Sequence, residues 1–165
     1  MAVLELVKGN KGEAVGGLIG IIEKGLQEND WKYHWDDGGR GHLWFGASGR
    51  NGDYKGVFFA REEQQIATLF VLLPVKVPEG RRKEVMEYLT RANFGLSIGN
   101  FEFDMDDGEI RYKISIDVEG GTLACSMVSN MLNAAFSTVD RYYPGLMSVI
   151  YGNGIPAAVV REAKG

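Results

Sequence analysis

Five acidic side chains fall within eight residues of the stretch GNFEFDMDDGEIRYKISID: Glu102, Asp104, Asp106, Asp107 and Glu109. Clustered carboxylates can hold a divalent cation, and a calcium loop places oxygen ligands at its first, third and fifth positions ahead of an invariant glycine. Here those positions are Phe103, Met105 and Asp107, so only the last can offer a side-chain oxygen. The dipeptide Asp107-Gly108 is instead a strong hairpin signal. A two-residue turn there sets Asp106 opposite Glu109, Met105 opposite Ile110, Asp104 opposite Arg111, Phe103 opposite Tyr112, Glu102 opposite Lys113 and Phe101 opposite Ile114. Apolar residues then line one face. The other carries two cross-strand pairs of opposite charge, each contributing about 0.2 to 1 kcal/mol. The cluster reads as a corner with partnered acids.

Other chemistry is sparse. His34 and His42 could share a metal with Asp36 or Asp37, but DDGGRG has the composition of a turn, and no third ligand is assigned. Cys125 has no basic neighbour in sequence to lower its pKa, so it is expected to be a packed, unreactive thiol. No serine stands in a G-x-S-x-G elbow. The glycine-rich GNKGEAVGGLIG, after the apolar AVLELV, fits neither the dinucleotide fingerprint nor the Walker loop. No catalytic residue, metal or cofactor is expected, and the chain is read as a non-enzyme.

These residues must be positioned by an alternation of helices and short strands. Val15, Leu18, Ile19, Ile22 and Leu26 recur at helical spacing from Glu13 to about Glu28, against Glu23, Lys24 and Gln27. Gly16, Gly17 and Gly20 weaken that helix unless another element approaches closely. WKYHW, HLWFGA, YKGVFFA and QIATLFVLLPV follow as a meander of strands broken by turn residues. A two-residue Asn51-Gly52 turn sets Leu43 opposite Ala60, Phe45 opposite Phe58 and Trp44 opposite Phe59. A helix is expected from Glu79 to Ala92, with Val85, Met86, Leu89 and Ala92 inward, Arg82, Lys83, Glu87 and Arg91 outward, and Asn93 at its C-terminal cap. After the acidic hairpin a long helix runs from Leu123 to about Tyr142, where Pro144-Gly145 breaks it. A short helix, LMSVIYG, and a fraying tail close the chain. Helix, meander, helix, hairpin and helix favour an α+β fold with an antiparallel sheet.

A length of 165 residues suits one domain over 1–165, and a lone cysteine precludes an internal disulfide and fits a reducing cytoplasm. The start lacks the basic and long apolar segments of a signal peptide, and the longest apolar run is too short to span a bilayer, so neither export nor a membrane site is expected. A formal charge of -4 offers little to grip phosphates, so nucleic acid is not an expected partner. The cluster Arg81, Arg82 and Lys83 reads as the solvated opening of a helix. What stands out is the second face of the meander. Trp44, Val57 and Phe59 at its centre, rimmed by His42, Lys55 and Arg61, have the aromatic middle and polar margin of an interface. A helix of the same chain could equally cover it.

Taken together, LPVKVPEGRRKEVMEYLTRANFGLSIGNFEFDMDDGEIRYKISID and MVSNMLNAAFSTVDRYYPGLMSVIYGN closely resemble the YbjN family of bacterial proteins. The markers are LTRANF at a helix end, GNFEFD, the DDGEIRYK turn and the close VDRYYPGLMSVIYG. The resemblance implies a type III secretion chaperone-like fold and a small acidic homodimer that holds another polypeptide without catalysis. It brings no catalytic residues. The leading expectation is therefore a chaperone-like or regulatory binding module whose partner site includes Trp44, Val57, Phe59, His42 and Arg61. A small-ligand sensor with a pocket between sheet and helices is the alternative.

Overall fold

A computed structural model describes residues 16–36 and 41–165. Runs of alternating apolar residues form six strands: β1 (Tyr33–Trp35), β2 (His42–Ser48), β3 (Asp53–Arg61), β4 (Ile66–Lys76), β5 (Asn100–Phe103) and β6 (Glu109–Asp117). All pairings are antiparallel, in one sheet of order β1-β2-β3-β4-β6-β5. The helices are α1 (Gly17–Glu28), α2 (Arg82–Asn93), α3 (Cys125–Tyr151) and α4 (Pro156–Lys164), with a 3-10 turn, Glu79–Arg81, leading into α2. The expected α+β class holds.

Successive strand residues face opposite ways, and one set supplies the core. Leu43, Phe45, Phe58, Leu69, Val71, Tyr112 and Ile114 are buried together with Leu18, Ile22 and Leu26 of α1, Val85 and Leu89 of α2, and Val128, Leu132, Ala135 and Val139 of α3. All four helices therefore share one side of the sheet.

In both hairpins the first strand closes two residues earlier than a two-residue turn sets, while the second strand starts where expected. Leu43 pairs with Phe58 rather than Ala60, and Phe45 with Gly56 rather than Phe58. The four-residue loop between them is held by α3: Asp140 accepts the backbone N–H of Arg50 at 3.2 Å and of Asn51 at 2.8 Å. In the acidic hairpin Phe103 pairs with Ile110 and Glu102 with Arg111. Asp104 N–H donates to the Glu109 carbonyl, and the Asp104 carboxylate accepts the Asp106 amide at 2.8 Å, so the turn spans four residues and leaves Met105 exposed. Gly108 adopts φ +81, and its carbonyl accepts the Val77 N–H. An added Cβ there would collide with the Val77 backbone. Because each slip totals two positions, every side chain keeps its expected face.

Four further expectations are corrected. Pro144 does not end α3, which runs 27 residues from Cys125 to Tyr151. Proline has no N–H for the carbonyl four residues back, but that carbonyl, of Asp140, accepts the Asn51 side-chain amide at 2.8 Å instead. Arg81 and Arg82 are anchors rather than a solvated face. Arg81 donates to the carbonyls of Ile150 and Gly152 at the C-terminus of α3, where a cation is favoured. Arg82 donates to Met105 and Asp106 in the acidic turn. Met86 is exposed and Tyr88 takes its place in the core, its hydroxyl donating to the Tyr142 carbonyl at 2.8 Å. The closing residues form α4, which buries Val160, rather than a fraying tail. Asn93 ends α2 and also brackets β5, donating to the Phe101 carbonyl and accepting the Phe101 N–H.

The glycines of the first helix act at its start and its crossing. Gly16 is the N-cap, and Gly17, at φ +80, leaves room for the Glu62 carboxylate to accept the N–H groups of Leu18 and Ile19, each at 2.9 Å. An anion at a helix N-terminus satisfies orphan donors and the dipole together. Gly25 lets α1 close against Val128 of α3. The predicted turn from Glu13 to Val15 and the apolar AVLELV lie outside the described residues.

Candidate functional site: an uncovered sheet face

The strand positions that point away from the helices form a second surface. Across β1, β2, β3, β4, β6 and β5 the register aligns His34, Trp44, Val57, Phe70, Lys113 and Asn100 in one row. Beside it run His42, Phe59, Thr68 and Ser115 on one flank, and Lys55, Leu72, Arg111 and Glu102 on the other. The five apolar side chains Trp44, Val57, Phe59, Phe70 and Leu72 are contiguous. Val57 and Thr68 are buried by their neighbours on the face, while Trp44, Phe59, Phe70 and Leu72 stay partly exposed.

His42, Trp44, Val57, Phe59, Phe70, Leu72 and Arg111 line a shallow depression of about 210 Å3. Its floor is tied together by aromatic contacts. The His42 and Phe59 rings lie 5.6 Å apart, as do Phe59 and Phe70, and the Arg111 guanidinium sits 4.1 Å above the Phe70 ring. Stacking of this kind orients the guanidinium without neutralising it.

The structure thus brings Trp44, Val57, Phe59 and His42 to one depression, with Arg61 at the end of the same β3 row. Phe70 and Leu72 of β4 and Arg111 of β6 also belong to this face and were not among the residues the sequence singled out for it. Pairing β6 beside β4 puts Arg111 there. No turn signal announces that contact, because the α2 segment and β5 intervene in the chain.

The acids resolve into partners. Arg111 donates to Glu102 at 2.7 Å and Lys113 lies 3.3 Å from the same carboxylate. Burial pushes the Glu102 carboxyl up, but hydrogen bonds from Arg111 and Lys113 together hold it below the usual range. Lys76 pairs with Asp107 at 2.6 Å, and that hydrogen bond lowers the Asp107 carboxyl. His42 Nδ1 is 2.8 Å from Asp36, which lowers the Asp36 carboxyl. Asp37 lies outside the described residues. Among the described residues no three His, Cys, Asp or Glu side chains gather as a metal site requires. Cys125 is partly buried near the Ile21 carbonyl, and burial with the nearby Glu28 raises its thiol pKa, which disfavours the thiolate. Among the described residues no helix is long and apolar enough to cross a membrane.

Fold and surface define an α+β protein whose sheet, among the described residues, is covered by helices on one side and bare on the other. Residues 19–147 match the YbjN family, described as "Putative bacterial sensory transduction regulator", and the chain belongs to that family. An uncharacterised protein from Methanothermobacter thermautotrophicus shares the fold, with a TM-score of 0.53 at 14% identity over 78% of this chain and 96% of that one. A chain in a structure described as "Structure of the HopA1-SchA Chaperone-Effector Complex" is similar with a TM-score of 0.47 at 12% identity, over 71% of this chain and 85% of that one. No curated protein matches the chain.

Proposed function

We propose that this chain is a single-domain, non-enzymatic protein-binding module of chaperone-like or regulatory kind. It acts in the cytoplasm as a homodimer and engages a polypeptide through Trp44, Val57, Phe59, His42 and Arg61. One observation carries the reading: among the described residues all four helices lie on one side of the sheet, and none covers the contiguous aromatic patch on the other. Large uncovered apolar patches rimmed by polar groups mark interaction surfaces. The family's description as a regulator supports a binding role. The alternative is a small-ligand sensor with a pocket between sheet and helices; the depression of about 210 Å3 lies on the opposite face and is below the roughly 300 to 1,000 Å3 of typical ligand pockets, so it favours the protein-binding reading.

Light scattering after gel filtration, with circular dichroism as the folding control, tests this on wild type and Phe59→Glu. A dimer that becomes a folded monomer would make the face a self-association surface. A dimer in both, with loss of polypeptide capture only in the mutant, would assign the face to a partner. Unchanged assembly and unchanged partner affinity in a folded Phe59→Glu protein would sink the reading.

A further inference from the structure

The charge around the bare face narrows what it can hold. The whole chain is acidic at -4, yet Lys55, Arg61, Arg111 and Lys113 are the immediate strand neighbours of the apolar patch, with Glu102 and the His42-bonded Asp36 as the nearest carboxylates. Arg111 and Lys113 share the Glu102 carboxylate, which leaves a charge unbalanced. Lys55 and Arg61 form no ion pair among the described residues. Asp53 and Asp117 lie on the same face one position further from the patch, beyond Lys55 and beyond Ser115. We infer that this face takes an acidic amphipathic segment of a partner polypeptide, its apolar side chains seated on Trp44, Val57, Phe59, Phe70 and Leu72 and its carboxylates set against Lys55, Arg61 and Arg111.

Dimension and sign both favour that occupant. The depression runs diagonally from His42 on β2 to Arg111 on β6, three strand spacings across and four residues along the strands, or about 19 Å. About thirteen residues of helix or six of extended chain cover that distance. Arg111 closes one end of the groove, Lys55 flanks Leu72, and Arg61 continues the Phe59 row, so a bound segment meets cations on several sides of an apolar centre.

The inference rests on the protein-binding reading above, and a panel of synthetic peptides separates the two. Twelve-residue peptides with helical or alternating apolar spacing carry either glutamates or lysines at the polar positions. Binding to the full chain is followed by titration calorimetry at low and moderate salt. The glutamate peptides are expected to bind at least 10-fold more tightly than the lysine versions and to weaken with salt. A Lys55→Glu/Arg61→Glu variant should erase or reverse the preference, and Phe59→Glu should abolish binding of both. Equal binding of both charge types, lost in Phe59→Glu, would overturn the acidic preference and leave the polypeptide site standing. Tighter binding of lysine peptides would overturn the preference too. If no peptide binds and Phe59→Glu splits a wild-type dimer, the face belongs to a second copy and the inference fails. If no peptide binds and assembly is unaltered, both the inference and the reading beneath it fail.

Discussion

Phe58 and Phe59 are chain neighbours in β3 and lie on opposite sides of the sheet. Phe58 is fully buried, stacked 5.7 Å from Phe45 beneath the helices. Phe59 lies between His42 and Phe70 on the bare side and is only partly covered. The same residue type therefore serves the core at one position and is left partly uncovered at the next. What differs is the layer above it, and that layer is fixed by which face α1 and α3 choose.

Substitutions sharpen this contrast. Phe58→Ala should cost about 3 to 5 kcal/mol by leaving a cavity, whereas Phe59→Ala should cost about 1 kcal/mol or less because its site is already open. Denaturant unfolding of both variants decides it, and equal losses would mean the second face is also core. Next in size is Asp140, whose carboxylate binds the β2–β3 loop and accepts the Tyr54 hydroxyl at 3.0 Å. Burial first, and then this carboxylate, push the Tyr54 hydroxyl above its usual pKa. Asp140→Ala should cost about 1 to 3 kcal/mol by stranding that hydroxyl. On the same side of the sheet, Glu62→Ala should lose about 0.5 to 2 kcal/mol of α1 capping, seen as a lower melting temperature with little change at the bare face.

The smallest effect belongs to the bare side. Glu102 has a lowered folded pKa, so its pairing stabilises the protein above about pH 4.3, its ordinary value, and that contribution disappears as pH falls through the folded pKa. Glu102→Gln should flatten the acid limb of the stability curve by under about 1 kcal/mol. A steeper acid limb in the mutant would contradict the pairing.

Much of this arrangement was legible in the residues because strand faces follow a period of two. Both hairpin registers differ from a two-residue turn by two residues of the first strand, and neither difference moves a side chain to the wrong face. The turns themselves were misread because their lengths are set from outside: by Asp140 for one, and by Val77 and Arg82 for the other. The openness of the second face could not be read at all. Helices with apolar stripes can cover either side of a sheet, and only the assembled chain shows that all of them took the same one. The basic trio before α2 misled for a related reason, since the carbonyls that Arg81 reaches lie 69 and 71 residues away in sequence.

The bond between Asn51 and the Asp140 carbonyl has a dynamic consequence. Where α3 lacks its own rung at Pro144, the missing donor comes from the β2–β3 loop. Fraying of the last turns of α3 and detachment of that loop are thereby one cooperative opening. Amide protons of residues 145–150 and 49–52 should exchange with solvent at a common rate, and Asn51→Ala should speed both segments together. A proline that would ordinarily punctuate a helix thus couples the exposed rim of the sheet to the far end of its covering layer.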